Sequence, residues 1–223
     1  MRNKKQATAI RRNGLIGLAA LALLAAFAAG AHAQVFYSMP GARPVPDDSP
    51  VLGIALGFGD DLFRVVGFGR FNASQHSDIG LEVIYEDLDT GPGSDDTHRF
   101  GGGADYKYLA VRQDDTTPVD VAVQFGAGVL AHSNYTLIAV PLGALVSRTF
   151  TVDGDRDIVP YGGVYLAMDF VDNDAPGNDG FDSDVDVEVR LGASAEIARN
   201  ASVFAAFHAG NGTLFFLGFS ASL

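Results

Sequence analysis

Residues 184–197 read Asp-Val-Asp-Val-Glu-Val-Arg-Leu-Gly-Ala-Ser-Ala-Glu-Ile. Asp184, Asp186, Glu188, Arg190, Ser194 and Glu196 share one parity, and the other parity holds only apolar residues. Side chains alternate across an extended chain with a period of two, so this stretch is a strand with one apolar side. The pattern recurs upstream. Val119, Val121, Val123, Phe125, Ala127 and Val129 oppose Asp120, Gln124, Gly126 and Gly128. Ile79, Leu81, Val83 and Tyr85 oppose Glu82 and Glu86, and Phe63, Val65 and Phe71 oppose Arg64 and Arg70.

Runs of this kind between turn signals number about ten. They lie near residues 51–58, 62–72, 78–88, 99–112, 118–131, 135–151, 158–171, 184–197, 201–209 and 213–223, and no helical period of useful length competes. The connectors 72–77, 113–118, 153–157 and 199–201 are short, whereas 89–98 and 172–183 are long, acidic and Gly-rich. With the first strand running outward, both long connectors fall on one side. Transmembrane barrels have this build, with short turns on one side and longer loops on the other.

Ahead of the strands, residues 1–33 carry Arg2, Lys4, Lys5, Arg11 and Arg12 with no acid, then an apolar stretch from Leu15 to Ala29, then Ala31-His32-Ala33. That composition predicts a secretory signal peptide, Sec-type export and cleavage near Ala33, before Gln34. Removing it changes the formal charge from −12 to −17, with ten basic and 27 acidic side chains. Such a chain repels a phosphate backbone, which excludes nucleic acid as a partner. The chain has no Cys, which excludes disulfides, thiolate metal sites and a Cys nucleophile. Residues 34–50 hold Pro40, Pro44, Pro46 and Pro50 and are read as an extended or barrel-plugging lead-in. Residues 51–223 form the barrel domain.

Alternation alone fits a soluble sandwich or calyx as well as a membrane barrel. Three features favour the membrane. The polar parity carries both signs (Arg64, Arg70, Lys107 and Arg190 with Glu82, Glu86, Asp120, Asp169 and Glu188), which suits a paired, hydrated lumen. On a lipid face each basic residue would cost about 2–4 kcal/mol. Aromatic residues on the apolar parity (Phe63, Phe71, Tyr85, Phe100, Tyr135 and Phe170) gather towards strand ends, as interfacial girdles do. The last strand places Phe215, Leu217, Phe219, Ala221 and Leu223 opposite Gly218, Ser220 and Ser222.

That last strand resembles the C-terminal targeting strand of bacterial outer-membrane β-barrel proteins, with terminal Leu223 in place of the usual Phe and Phe216 at a normally polar position. The chain from Ser49 to Leu223 is similar in architecture to small outer-membrane barrels of the OmpA-like or OmpX-like superfamily. The resemblance implies an all-β fold: a transmembrane antiparallel up-and-down β-barrel of about ten strands, eight being the alternative count. It implies residence in the outer membrane of a Gram-negative bacterium. It also implies contact with outer-membrane lipid and lipopolysaccharide, and with the barrel assembly machinery through the C-terminal strand.

Three functions follow. The first is a structural, envelope role or a narrow porin-like channel, with Arg64, Arg70, Glu82, Glu86, Lys107, Asp120, Asp169, Glu188 and Arg190 as the lumen charge cluster. The second is a soluble ligand-binding β-barrel or sandwich with a polar exterior. The third is a lipid A-modifying hydrolase. His132-Ser133-Asn134 resembles the His/Ser/Asn cluster of lipid A deacylases, but adjacent His132 and Ser133 point to opposite strand faces. No enzymatic activity and no cofactor are expected. His208, of inward parity, has Glu188 or Glu196 as a prospective partner. Asp172, Asp174, Asp179 and Asp182 are a candidate loop cation site; a solvated acidic loop, bridged to lipopolysaccharide phosphates by divalent cations, is the alternative. The glycines at 67, 69 and 101–103 lie inside strand patterns and are read as wall positions for coiling and close packing, not phosphate loops.

Overall fold

The computed structural model describes residues 41–88, 97–132, 135–152, 156–173, 180–210 and 212–223. The expected signal peptide at 1–33 lies outside them. Eleven strands appear: β1 (Val51–Phe58), β2 (Leu62–Ser74), β3 (Ser77–Leu88), β4 (Thr97–Val111), β5 (Asp120–Ala131), β6 (Tyr135–Ser147), β7 (Phe150–Val152), β8 (Arg156–Asn173), β9 (Gly180–Ala198), β10 (Ala201–Ala209) and β11 (Thr213–Ser222). Sequence neighbours pair antiparallel except β6 and β7, β1 pairs with β11, and β6 pairs with β8. Short β7 continues the stave begun by β6. The result is a closed ten-stave barrel with no helix among the described residues. Closure gives each of the ten long strands a partner on both sides, which satisfies their backbone groups; short β7 pairs with β8 alone.

Three local departures from the sequence reading have physical causes. The run 135–151 is divided at Arg148 and Thr149, where the Arg148 N–H turns to donate to the Pro160 carbonyl at 3.1 Å. Within β6, Pro141 has no N–H; the β5–β6 ladder runs from Phe125↔Leu142 to Gly128↔Ala139 and skips the positions between. The acidic connector is shorter than 172–183, because β8 and β9 pair outward as far as Asn173↔Gly180. Connector length also separates the two ends less than expected: the spans 89–96 and 112–119, on opposite ends, are both eight residues.

Alternation sorts the side chains. Outward stand Leu52, Ile54, Val83, Phe125, Leu166, Val185 and Leu217, all exposed. Inward stand Arg64, Arg70, Lys107, Glu86, Asp120 and Arg190, all buried. This inverts a soluble protein, which buries its aliphatics and exposes its charges. A soluble barrel's polar exterior is therefore not found. At one rim Phe207, Phe215, Phe58 and Phe63 stand side by side across four consecutive staves, in the registers Phe207↔Phe215, Phe215↔Phe58 and Phe58↔Phe63. Tyr85 and Phe100 continue this belt, with ring centroids 4.9 Å apart. Tyr135 does not join it: it has the inward parity of β6, and its hydroxyl accepts a hydrogen bond from Arg99 Nη1 at 3.2 Å.

Aromatic side chains share the interior with the charges. Phe68 and Phe204 meet at 5.9 Å between centroids, and Phe216 lies against His208 at 4.8 Å. A Cβ on Gly57 would stand 2.6 Å from the Phe216 ring, so glycine at that inward position makes room for an aromatic on the next stave.

Candidate functional site: the lumen

All nine lumen charges singled out in the sequence lie inside the barrel, Arg64, Arg70, Glu82, Glu86, Lys107, Asp120, Asp169, Glu188 and Arg190 being buried. They do not form one cluster. At the end away from the N-terminal segment, the registers Arg64↔Glu86 and Glu86↔Arg99 line up a cross-strand triad. Arg64 Nη2 pairs with Glu86 Oε1, and Arg99 Nη2 reaches Glu86 Oε2 at 2.5 Å. Glu86 thus neutralises two guanidiniums whose desolvation would otherwise be prohibitive.

A second network starts at the other end and runs along the interior. Arg70 Nη2 lies 2.8 Å from Asp78 Oδ1 and 2.5 Å from Asp105 Oδ1. Gln124 Nε2 donates to Asp105 Oδ1 at 2.7 Å, and Tyr165 Oη donates to Gln124 Oε1 at 2.8 Å. The Arg190 guanidinium lies 4.1 Å above the Tyr165 ring and donates through Nη2 to Glu188 at 2.6 Å. Polar contacts therefore cross the lumen from β3 to β9.

Residues 41–50 cross the mouth at this end. The Leu223 N–H donates to the Pro50 carbonyl at 3.0 Å, which starts the crossing beside β1 and β11. Asn72 Nδ2 (β2) donates to the Val45 carbonyl at 2.7 Å, and the Val45 N–H donates to Asp78 Oδ2 (β3) at 3.1 Å. Lys107 Nζ (β4) donates to the carbonyls of Gly41 and Arg43 at 3.0 and 2.9 Å. Arg43 Nε lies 3.0 Å from Asp120 Oδ2 (β5), and the Ala42 N–H donates to Ser147 Oγ (β6) at 2.9 Å. Gly41, at φ 97°, lies against Val159 of β8, where an added Cβ would stand 3.4 Å from Val159 Cγ1. This segment is a strap over the diameter of the barrel.

Several participants escaped the sequence reading. Asp78 shares parity with Glu82 and Glu86, and Arg99 and Asp105 share parity with Lys107, so strand phase was the available signal. Gln124 stood on the polar parity of its strand but, being uncharged, did not stand out, and Tyr165 gave no signal. Glu196 is not a partner for His208: it accepts from the Asp157 N–H at 3.1 Å, while His208 stands six residues along the ladder, opposite Arg190. Of the candidate loop cation set, Asp172 and Asp182 lie in the described residues. In the registers Val171↔Asp182 and Asp172↔Phe181, Asp182 faces the lumen side and Asp172 faces outward with exposed Phe181, so the two cannot share an ion. Asp174 and Asp179 lie outside the described residues. The His132 ring packs on Tyr135 at 4.9 Å between centroids; Ser133 and Asn134 also lie outside the described residues.

No family model matches this chain, and no curated relative does. Solved structures do. The β domain of the Bordetella autotransporter BrkA is similar at 12% identity and a TM-score of 0.53, covering 80% of this chain and 100% of that domain. An outer membrane channel from Pseudomonas putida F1 aligns with a TM-score of 0.42 at 10% identity, over 84% of this chain and 100% of that one. The KdgM porin aligns with a TM-score of 0.37 at 10% identity, over 78% of this chain and 99% of that one. The likeness to the autotransporter domain is one of fold, a closed antiparallel β-barrel.

Proposed function

We propose that the protein is a small outer-membrane barrel of the OmpA-like or OmpX-like kind that spans the bilayer with its lumen shut and serves the envelope structurally. The observation that carries this reading is the inversion of sidedness. A continuous apolar exterior with a phenylalanine belt suits hydrocarbon, and a charged interior suits only a lumen. Closure is supported by burial. Arg64, Lys107, Arg190 and His208 are at most 1% exposed, so water does not run past them as it would in an open pore.

The filling is charged rather than apolar, which favours a second reading, a narrow channel that conducts once the strap is displaced. No catalytic step belongs to either reading: Asp78, Glu86, Asp105, Asp120 and Glu188 are each engaged by a cation. The C-terminal stave, β11, is the segment offered to the assembly machinery, and the exterior is offered to lipid and lipopolysaccharide. Planar-bilayer recording tests the function. Folded, heat-modifiable protein is expected to give no steady current at rest. A steady open-state current from every inserted molecule would overturn closure and leave the porin-like reading.

A further inference from the structure

The strap is held almost entirely by its main chain. Lys107 takes two carbonyls, Asn72 takes one, and Asp78 and Ser147 each accept one N–H. Of its side chains, Arg43 pairs with Asp120 and Ala42 is buried. Donors and acceptors that alternate along the backbone of an irregular segment are the mark of a peptide-binding site. Pro44 and Pro46 restrict the segment before it is bound, which lowers the entropy lost on seating it.

Three of the receiving side chains are also held without the strap. Asp78 is fixed through Oδ1 by Arg70, Lys107 Nζ lies 3.3 Å from Asp78 Oδ2, and Asp120 Oδ1 accepts from the Gln113 N–H at 2.7 Å. Ser147, Asp78, Asp120 and Lys107 are buried wall residues of four different staves. The site is thus pre-formed by the barrel. The strap joins β1 only through a turn that includes exposed Asp47 and Asp48.

We propose that this mouth of the barrel is a receptor for a bent, proline-containing basic peptide, and that residues 41–46 are its ligand, bound in cis and releasable. The proposal deepens the closed-barrel reading and rests on it. Tethering gives the strap a high effective concentration, so it excludes free peptides of equal affinity until it leaves.

The test begins with the full, folded chain carrying a protease site inserted between Asp48 and Ser49, cut after folding. The probe is a fluorescent peptide of residues 41–46, amidated at its C-terminus and N-acetylated so that no new ammonium faces Lys107. After cutting, the segment is expected either to stay on the barrel through gel filtration or to leave and be replaced saturably by the probe, read by anisotropy. The same peptide N-methylated at Val45 loses the hydrogen bond to Asp78 and is expected to compete at least about tenfold more weakly. Because that change is in the peptide, barrel folding is untouched. Departure of the segment with no saturable probe binding, or equal competition by the N-methylated and a scrambled peptide, overturns the proposal. Neither result bears on the bilayer current of the uncut chain, which tests the closed barrel separately.

Discussion

Arg70 and Asp105 lie on β2 and β4, staves that do not pair, yet their side chains meet at 2.5 Å. Gly80 of β3 stands between them in the registers Arg70↔Gly80 and Gly80↔Asp105. A Cβ there would come within 2.9 Å of the Asp105 carboxyl carbon and 3.0 Å of Arg70 Nη1. Gly143 does the same for Gln124 and Tyr165, which face each other across β6 in the registers Gln124↔Gly143 and Gly143↔Tyr165. Inward glycines thus act as windows through which polar side chains skip a stave and knit the lumen across its width.

At Gly143 the window is rigid on one side, because a Cβ would stand 2.6 Å from the Val164 carbonyl oxygen. Gly143→Ala should lower stability by about 1–3 kcal/mol through overpacking. Tyr165→Phe should cost a similar 1–3 kcal/mol by leaving the buried Gln124 oxygen without its donor. Urea unfolding in lipid vesicles checks both. Outward-facing Gly67→Ala should change stability by less than about 0.5 kcal/mol.

The Arg64–Glu86–Arg99 triad predicts a strong asymmetry. Glu86→Gln leaves two buried guanidiniums without their shared anion and should cost about 3–5 kcal/mol. Replacing all three with Met, Leu and Met at positions 64, 86 and 99 should recover most of that loss, because no charge then remains to be compensated. Unfolding midpoints of the single and triple variants decide the point. Equal losses in both would mean that the triad's packing matters and its charge does not.

In the 112–119 connector, Asp114 Oδ1 accepts from the Thr116 hydroxyl, the Thr117 N–H and the Thr116 N–H, each at 2.7 Å. These bonds favour the ionised carboxylate and hold its pKa below the ordinary value, the Thr116 side chain most of all. A depressed folded pKa means that this contribution is present above the unfolded value and is lost as pH falls through the folded one. Carboxyl-carbon NMR should show Asp114 titrating below a free Asp. Thr116→Val should move it back towards that reference.

On the outer face, Leu166 sits near the middle of β8, in register with Leu142 and Val187. Leu166→Arg should cost about 2–4 kcal/mol in a bilayer. A protein with this face in water would lose less than about 0.5 kcal/mol. Unfolding in vesicles measures the difference.

The staves were legible because period two persists through Asp184–Ile197 and its counterparts: one apolar parity fixes which side of each strand turns inward. The lumen pairs were not legible. Whether Arg70 meets Asp78, Asp105 or neither depends on register, and register depends on turn geometry, which composition does not specify. Glycine concealed the most. Gly80 and Gly143 read as generic wall positions, and their role as windows exists only once the strands on both sides are in place. The strap was visible as a proline-rich lead-in, but its seat draws Asn72, Asp78, Lys107, Asp120 and Ser147 from five staves.

The central claim is that the apolar face meets hydrocarbon while the charged face is enclosed. The chain has no Cys, so a single nitroxide at Val83→Cys, outward in the middle of β3 and 68% exposed, reports one environment. In vesicles, power-saturation EPR should find that label open to molecular oxygen and shielded from a water-soluble nickel relaxant. A label at Val83 reached by nickel as readily as one in the 112–119 connector would contradict the account.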